Sequence, residues 1–387
     1  MFALLQRCIL KETLQNFLLC VVSLLSLILI GRGLQLKDLF LGLDFSMGDI
    51  ALLFVYMMPL FLLVVLPISC MISVFLTILR MSTDREIIAL KAGGVGIFQL
   101  LFAPALFSFL CMCLAFGISL YGISWGMSEF RTTVLEIAGS RAKVTVQPGV
   151  FNKDFIPGLT LFARKVDPQT GKLQQVVFED STRKDGAGIT ILAPEGEIVT
   201  DEQRGELVFF LKNGRIYRAD DKQVNILGFE EYEVRLNLSE LFKNVDLGEV
   251  RPKEMNLNDL RRLQKGGESI SRRQMLKAGV EVQKRFSLPV ACLILGVFAL
   301  PLACAFEGAR RQMGVGISLL LFLVYYGIFS VGLNAGEGGR LPPQIGMWIG
   351  NVLFAVATLV GLFMVNKERT PNLRNIFARL RRLRRTQ

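Results

Sequence analysis

The chain has 387 residues, is 52% hydrophobic and carries a formal net charge of +11. Its mean hydropathy of +0.46 excludes an ordinary soluble protein, which would not expose so many long apolar runs. It contains no histidine, which excludes Ser-His-Asp and Cys-His catalysis and removes the commonest metal ligand.

The chain opens with Met1–Glu12, where Phe2, Leu5 and Ile9 lie near helical spacing beside Gln6, Arg7 and Lys11. This predicts an amphipathic helix at a membrane surface. The basic start could be read as that of a signal peptide. The apolar run behind it is too long for that, and Gly31-Arg32-Gly33 is a poor cleavage site. Six stretches carry no charged residue: Thr13–Gly31, Ile50–Leu79, Ala92–Ser128, Phe286–Phe306, Gln312–Gly336 and Leu341–Asn366. A helix needs about 20 apolar residues to cross a bilayer core, so each is a candidate span. Pro59 and Pro67 lie inside the second run and predict a kink. The seven cysteines all fall in or beside these runs. Cys111-x-Cys113 has motif-like spacing, but i and i+2 face different directions on a helix. Apolar filling is the expected role.

Between the third and fourth runs the chain becomes polar. Leu159–Val166, Gln174–Phe178, Ile189–Leu192, Glu206–Lys212, Arg215–Arg218 and Glu230–Leu238 are short and rich in β-branched and aromatic residues. Asn213-Gly214 predicts a type I′ hairpin. Pro148-Gly149, Pro157-Gly158, Gln169-Thr170-Gly171 and Asp185-Gly186 mark further turns. Eight or so short strands point to a sandwich or jelly roll. Residues 253–285 then change to a charged, helical composition.

If all six runs span, the side holding both termini carries fifteen Lys/Arg and the opposite side three: Arg32, Lys37 and Arg340. The positive-inside rule places the termini in the cytoplasm and residues 129–285 outside. Arg251–Arg285 holds ten Lys/Arg against four Asp/Glu on that outer side, but long translocated loops weigh little in the rule. The basic tail reads as facing lipid headgroups, not nucleic acid.

Three features bear on mechanism. No Walker A sequence is present, so any use of ATP comes from a partner. Thr83 and Glu86 have the spacing of a capping box, which predicts a short helix from Thr83 to Gly93-Gly94. Glu86 is then either a cap alone or a docking point for a soluble ATPase. Arg32 and Lys37 close the first span, and Lys284 and Arg285 open the fourth on the same side. They are interfacial anchors or ligands for an anionic headgroup, which the arginine fork suits. Glycines at Gly314, Gly316, Gly327, Gly332 and Gly336 allow close helix contact.

The ordered set of Glu86 before Ala92-Gly93-Gly94, then Glu281-x-x-Lys284-Arg285-Phe286-Ser287-Leu288-Pro289, then Gly339-x-Leu341-Pro342-Pro343 with Met347-Trp348-x-x-Asn351 resembles the LptF/LptG permease subunits of the lipopolysaccharide export transporter. The resemblance covers essentially the whole chain, and the β domain looks more like the F-type. Gln283 stands where many members have His, and Gly350 where Pro is common. The resemblance implies an α-helical membrane protein of the inner membrane, with six transmembrane helices (3+3) and an inserted all-β, jellyroll-like periplasmic domain. Its domains would be 1–128 as the N-terminal transmembrane half and 129–252 as the β domain. Residues 253–285 would be a helical connector, 286–366 the C-terminal half and 367–387 a basic cytoplasmic tail. The implied partners are a second homologous permease, a cytoplasmic ATPase dimer, a periplasmic bridge component and lipopolysaccharide. No cofactor is bound directly, and ATP acts through the partner. By this resemblance Thr83, Arg85 and Glu86 serve ATPase coupling. Arg32, Lys37, Lys284 and Arg285 serve lipid-phosphate binding. A rival reading is a mechanotransmitting or scaffold subunit of another ABC system that moves no lipid. A second rival is a membrane hydrolase using Glu129 and Glu136.

Overall fold

The computed structural model describes residues 2–42, 46–145, 148–156, 159–167, 172–180, 189–201, 206–220, 223–237, 251–265, 271–306 and 311–367. Its helices are α1 (Phe2–Gly42), α2 (Met47–Thr83), α3 (Glu86–Ala92), α4 (Ile97–Gly117) and α5 (Ile123–Thr145). After six strands follow α6 (Leu257–Lys265), α7 (Arg272–Ala305), α8 (Arg311–Glu337) and α9 (Pro343–Asn366). A π-helical turn over Ile118–Gly122 joins α4 to α5. Six helices are long and apolar enough to cross a membrane: α1, α2, the α4–α5 rod, α7, α8 and α9. The amphipathic segment Met1–Glu12 does not form a separate helix. Its described part is the start of α1, and Gln6, Ile9 and Thr13 are buried. Pro59 and Pro67 both lie inside the continuous α2.

The chain divides into two compact units. One comprises Met1–Ile30, Met57–Met127 and Pro252–Gln387. Its core is organised around α2, where Ser69 to Ile78 are almost wholly buried. Three sites show how closely its helices approach. A Cβ on Gly296 would lie 2.1 Å from the Ser108 hydroxyl, and one on Gly314 would meet Leu79 and Phe75. A Cβ on Gly332 would lie 2.0 Å from the Gly346 carbonyl oxygen, so α8 and α9 touch backbone to backbone. Gly316 and Gly327 face open space instead. In lipid such contacts replace the hydrophobic drive that packs soluble helices. The short α6 packs on the first half of α7 through Leu260, Ala278 and Val282.

The other unit comprises Gly31–Tyr56 and Ser128–Arg251. It holds a six-stranded antiparallel sheet in sequential order: β1 (Phe151–Ile156), β2 (Leu159–Val166), β3 (Lys172–Asp180), β4 (Ile189–Asp201), β5 (Glu206–Asp220) and β6 (Gln223–Asn237). The expected strand regions are present, but two of them merge. Asn213-Gly214 is not a hairpin turn, because β5 runs straight through it. The pairing skips Arg164, Gln175, Pro194 and Asn213, which fall in line across β2–β5. Gln175 and Asn213 take positive φ values of 51° and 52°. Pro194, which has no donor for the ladder, sits where the ladder is already interrupted. Along this crease the buried positions change parity within each strand. Ile191 and Ala193 precede it in β4, and Ile198 follows it. Register is unchanged across the crease, so one apolar face continues from Leu161, Phe178 and Ile191 to Leu173, Phe209 and Leu211. Gly214 is required there, since a Cβ would lie 2.6 Å from the Leu192 carbonyl oxygen. The turn signals Pro157-Gly158, Gln169-Thr170-Gly171 and Asp185-Gly186, and the basic tail from Glu368 onward, lie outside the described residues.

The helix contacts give a direct prediction. Gly332→Ala should destabilise the protein by about 2–3 kcal/mol through forced separation of α8 and α9. Gly327→Ala should be nearly neutral. Thermal unfolding of both variants in detergent measures the difference.

Candidate functional site

The connection between α2 and α4 centres on Arg80, in the last turn of α2. Thr83 is the final residue of that helix, and its hydroxyl donates to the Leu79 carbonyl at 2.9 Å. The expected capping box is therefore not formed, because the threonine is spent on back-bonding within the preceding helix. The short helix itself exists, but starts at Glu86. Arg85 turns the chain in the left-handed conformation, with φ 61° and ψ 13°, which is strained for a residue with a Cβ. Ile87 is buried and Ile88 exposed. Gly93 and Gly94 end the helix, with Gly94 at φ 85°. Glu86 accepts a hydrogen bond from Arg80 Nη1 at 3.0 Å. The same nitrogen reaches Asp84 at 3.1 Å, while Arg80 Nη2 reaches Glu12 of α1 at 2.7 Å. Thr83, Arg85 and Glu86 thus sit together around one turn, and Glu86 is held there by Arg80.

Of the four basic residues proposed for an anionic headgroup, Arg32 and Lys37 lie in one compact unit and Lys284 and Arg285 in the other. Arg32 belongs to the unit with the sheet and donates to Gln35 at 2.7 Å on an exposed surface. The side chain of Lys37 lies outside the described residues. Lys284 and Arg285 belong to the other unit. They do not open the fourth spanning helix, since α7 starts at Arg272. Lys284 Nζ donates to Glu281 at 3.1 Å. Arg285 is fully buried and donates through Nη2 to the Met255 carbonyl at 2.9 Å and the Lys253 carbonyl at 3.2 Å. Its Nε lies 3.7 Å from Glu281. Ser124 also donates to Met255 at 2.9 Å. Arg285 therefore fastens the segment before α6 onto α7, and in this arrangement its guanidinium faces protein. The spacing Glu281-x-x-Lys284-Arg285 is that of i,i+3 and i,i+4 partners on a helix, a signal present in the sequence but read there as two cations alone.

Met347, Trp348 and Asn351 of α9 have a structural role in this geometry. The Asn351 amide donates to the Ser287 carbonyl at 2.8 Å and to its hydroxyl at 3.0 Å. Tyr325 donates to Asn351 at 2.9 Å, and Ser287 to the Met347 carbonyl at 2.6 Å. Trp348 donates to Gln283 at 3.1 Å. These bonds join α7, α8 and α9 inside the apolar packing, where an unmade bond would be expensive. Glu129 is half-buried and Glu136 exposed on α5. They stand seven residues apart, roughly 10 Å along the helix axis, and among the described residues neither is joined to a second acid or base that would make a hydrolytic pair.

Spanning helices with an inserted antiparallel sheet, a short helix between two spans and a hydrogen-bonded intramembrane seam define a polytopic membrane protein. Residues 7–364 match the family model of the lipopolysaccharide export system permease LptF/LptG, and the chain belongs to that family. No curated relative matches the chain. The protein is thus an inner-membrane transporter subunit of the lipopolysaccharide export system.

Replacing Arg285 by Met should cost about 3 kcal/mol, because it removes the bonds to the Lys253 and Met255 carbonyls and leaves the buried Glu281 short of a cation. Lys284→Met should cost clearly less. Thermal unfolding of the purified variants, with limited proteolysis at residues 251–271, reads both effects.

Proposed function

We propose that the chain extracts lipopolysaccharide from the outer leaflet of the inner membrane and passes it through its β domain toward the outer membrane, driven by a partner ATPase. Both termini and α3 face the cytoplasm, and the sheet lies in the periplasm. A second homologous permease, an ATPase dimer and a periplasmic bridge complete the machine. The chain binds no nucleotide itself. What carries the coupling part of this reading is the placement of Glu86. It starts a short helix between two spanning helices, is 43% exposed, and stands on a turn held in a strained conformation at Arg85. Strain of this kind is kept where the surroundings fix it and is often tied to function. The charge count of the loops supports the topology.

The lipid-facing part of the reading rests on Arg32 and Lys37. They follow the most apolar part of α1, whose Leu18, Leu19, Val22, Leu27 and Ile30 are exposed. Arg285 contributes by holding the connector on α7, while Lys284, paired with Glu281 on its own helix, is the more accessible of the two: its side chain is 12% exposed against 0%.

Two outcomes follow. In proteoliposomes carrying the full complex, Glu86→Gln should retain ATP hydrolysis while lipid release per ATP falls by about fivefold or more. Normal release would remove the coupling role. Arg32→Gln with Lys37→Gln should weaken photocrosslinking of lipopolysaccharide to α1, and unchanged crosslinking would remove the phosphate role. The scaffold reading of another ABC system predicts no crosslinking even in the unaltered protein.

A further inference from the structure

Arg80 gathers three carboxylates from three places in the chain. Its Nε and Nη2 both engage Glu12 of α1, the latter at 2.7 Å, a side-on pair that uses two edges of the guanidinium. Its Nη1 is left to reach Asp84 at 3.1 Å and Glu86 at 3.0 Å. A lysine has one charged nitrogen and cannot hold this geometry. Around it α1 is fastened on either side of α3. On α2, one turn before Arg80, Thr77 accepts from Asn16 of α1 at 3.1 Å and lies 3.4 Å from the Thr13 hydroxyl. On α4, the Gln99 carbonyl accepts from Gln6 at 2.7 Å. Farther along, α1 packs through Phe17, Val21 and Leu24, while Leu18, Leu19, Val22, Leu27 and Ile30 are exposed. These polar contacts therefore lie near the start of α1.

We propose that Arg80 is a positioning residue that links α3 to the base of α1, so that a displacement of Glu86 is delivered to the first spanning helix. This rests on the reading of Glu86 as the contact with the ATPase. Isolated exposed ion pairs contribute little to stability, so the value of this network lies in position. Three carboxylates around one guanidinium leave local negative charge in excess, which favours a further cation arriving at Glu86. Arg80 holds Glu86 through Oε1, so a cation that binds the carboxylate's other oxygen leaves that bond in place. The guanidinium, still clamped to Glu12, then carries a movement of Glu86 to α1.

The test uses the complete complex in proteoliposomes, measuring ATP hydrolysis and lipopolysaccharide release together for Glu86→Gln, Glu12→Gln, Arg80→Gln and Arg80→Lys. The inference expects Glu12→Gln and Arg80→Gln to assemble and hydrolyse ATP, with release per ATP reduced roughly fivefold or more. Arg80→Lys should be intermediate, since it restores charge without the fork. If Arg80→Gln fails to assemble, Glu12→Gln and Arg80→Lys decide the matter, because each leaves a cation at position 80. Normal release per ATP in Glu12→Gln alongside an uncoupled Glu86→Gln overturns the link to α1 and leaves the coupling role of Glu86 standing. Normal release in Glu86→Gln overturns that role and this inference with it.

Discussion

Hydrocarbon offers a backbone nothing to hydrogen-bond with, and every other feature of the membrane part follows from that constraint. The chain answers it with continuous helices, each satisfying its own peptide groups. Several polar side chains inside the bundle are held by partners. Asn351 is held by Ser287 and Tyr325, and Ser108 returns its hydroxyl to the Pro104 carbonyl. Arg285 is the largest fully buried side chain, and two backbone carbonyls and Glu281 surround it. Small residues supply the remaining cohesion, since apolar side chains gain nothing by leaving lipid for one another.

Under the proposed function, a subunit with this plan acts as a lever. Two of its arginines tie neighbouring elements together. Arg80 joins α1, α2 and α3; Arg285 joins α7 to the segment leading into α6. In such a protein the work is done through different affinities of alternative states for the same ligand. The crease across β2–β5 has a related meaning for the sheet. It lets each strand change the parity of its apolar residues without losing register, so a single apolar face runs past an interruption that would otherwise have split it.

The membrane plan was legible in the sequence because charge is nearly forbidden in a span. The six uncharged runs correspond to the six long apolar helices. The β segment was legible from its composition, but Asn213-Gly214 misled because the same dipeptide that favours a two-residue turn also tolerates a positive φ inside a strand. Thr83-x-x-Glu86 misled for a similar reason: a hydroxyl can cap the helix ahead of it or bond back to the helix behind it, and spacing alone does not distinguish them. Glu12 and Arg80 could not have been paired from sequence, being separated by an entire helix hairpin. Glu281 with Lys284 and Arg285 could have been, since their spacing is helical. Which side chain lines the apolar face of the sheet depended on register, and register on the crease.

The account's central claim is that this chain works as one of two permeases above an ATPase dimer, with a glycolipid as its cargo. Native mass spectrometry of the tagged protein, extracted gently from its own membranes, tests it most directly. The account predicts a complex holding this chain, a second similar permease, two ATPase copies and bound lipopolysaccharide. A protein that emerges alone or self-paired, with neither ATPase nor lipid, would contradict it.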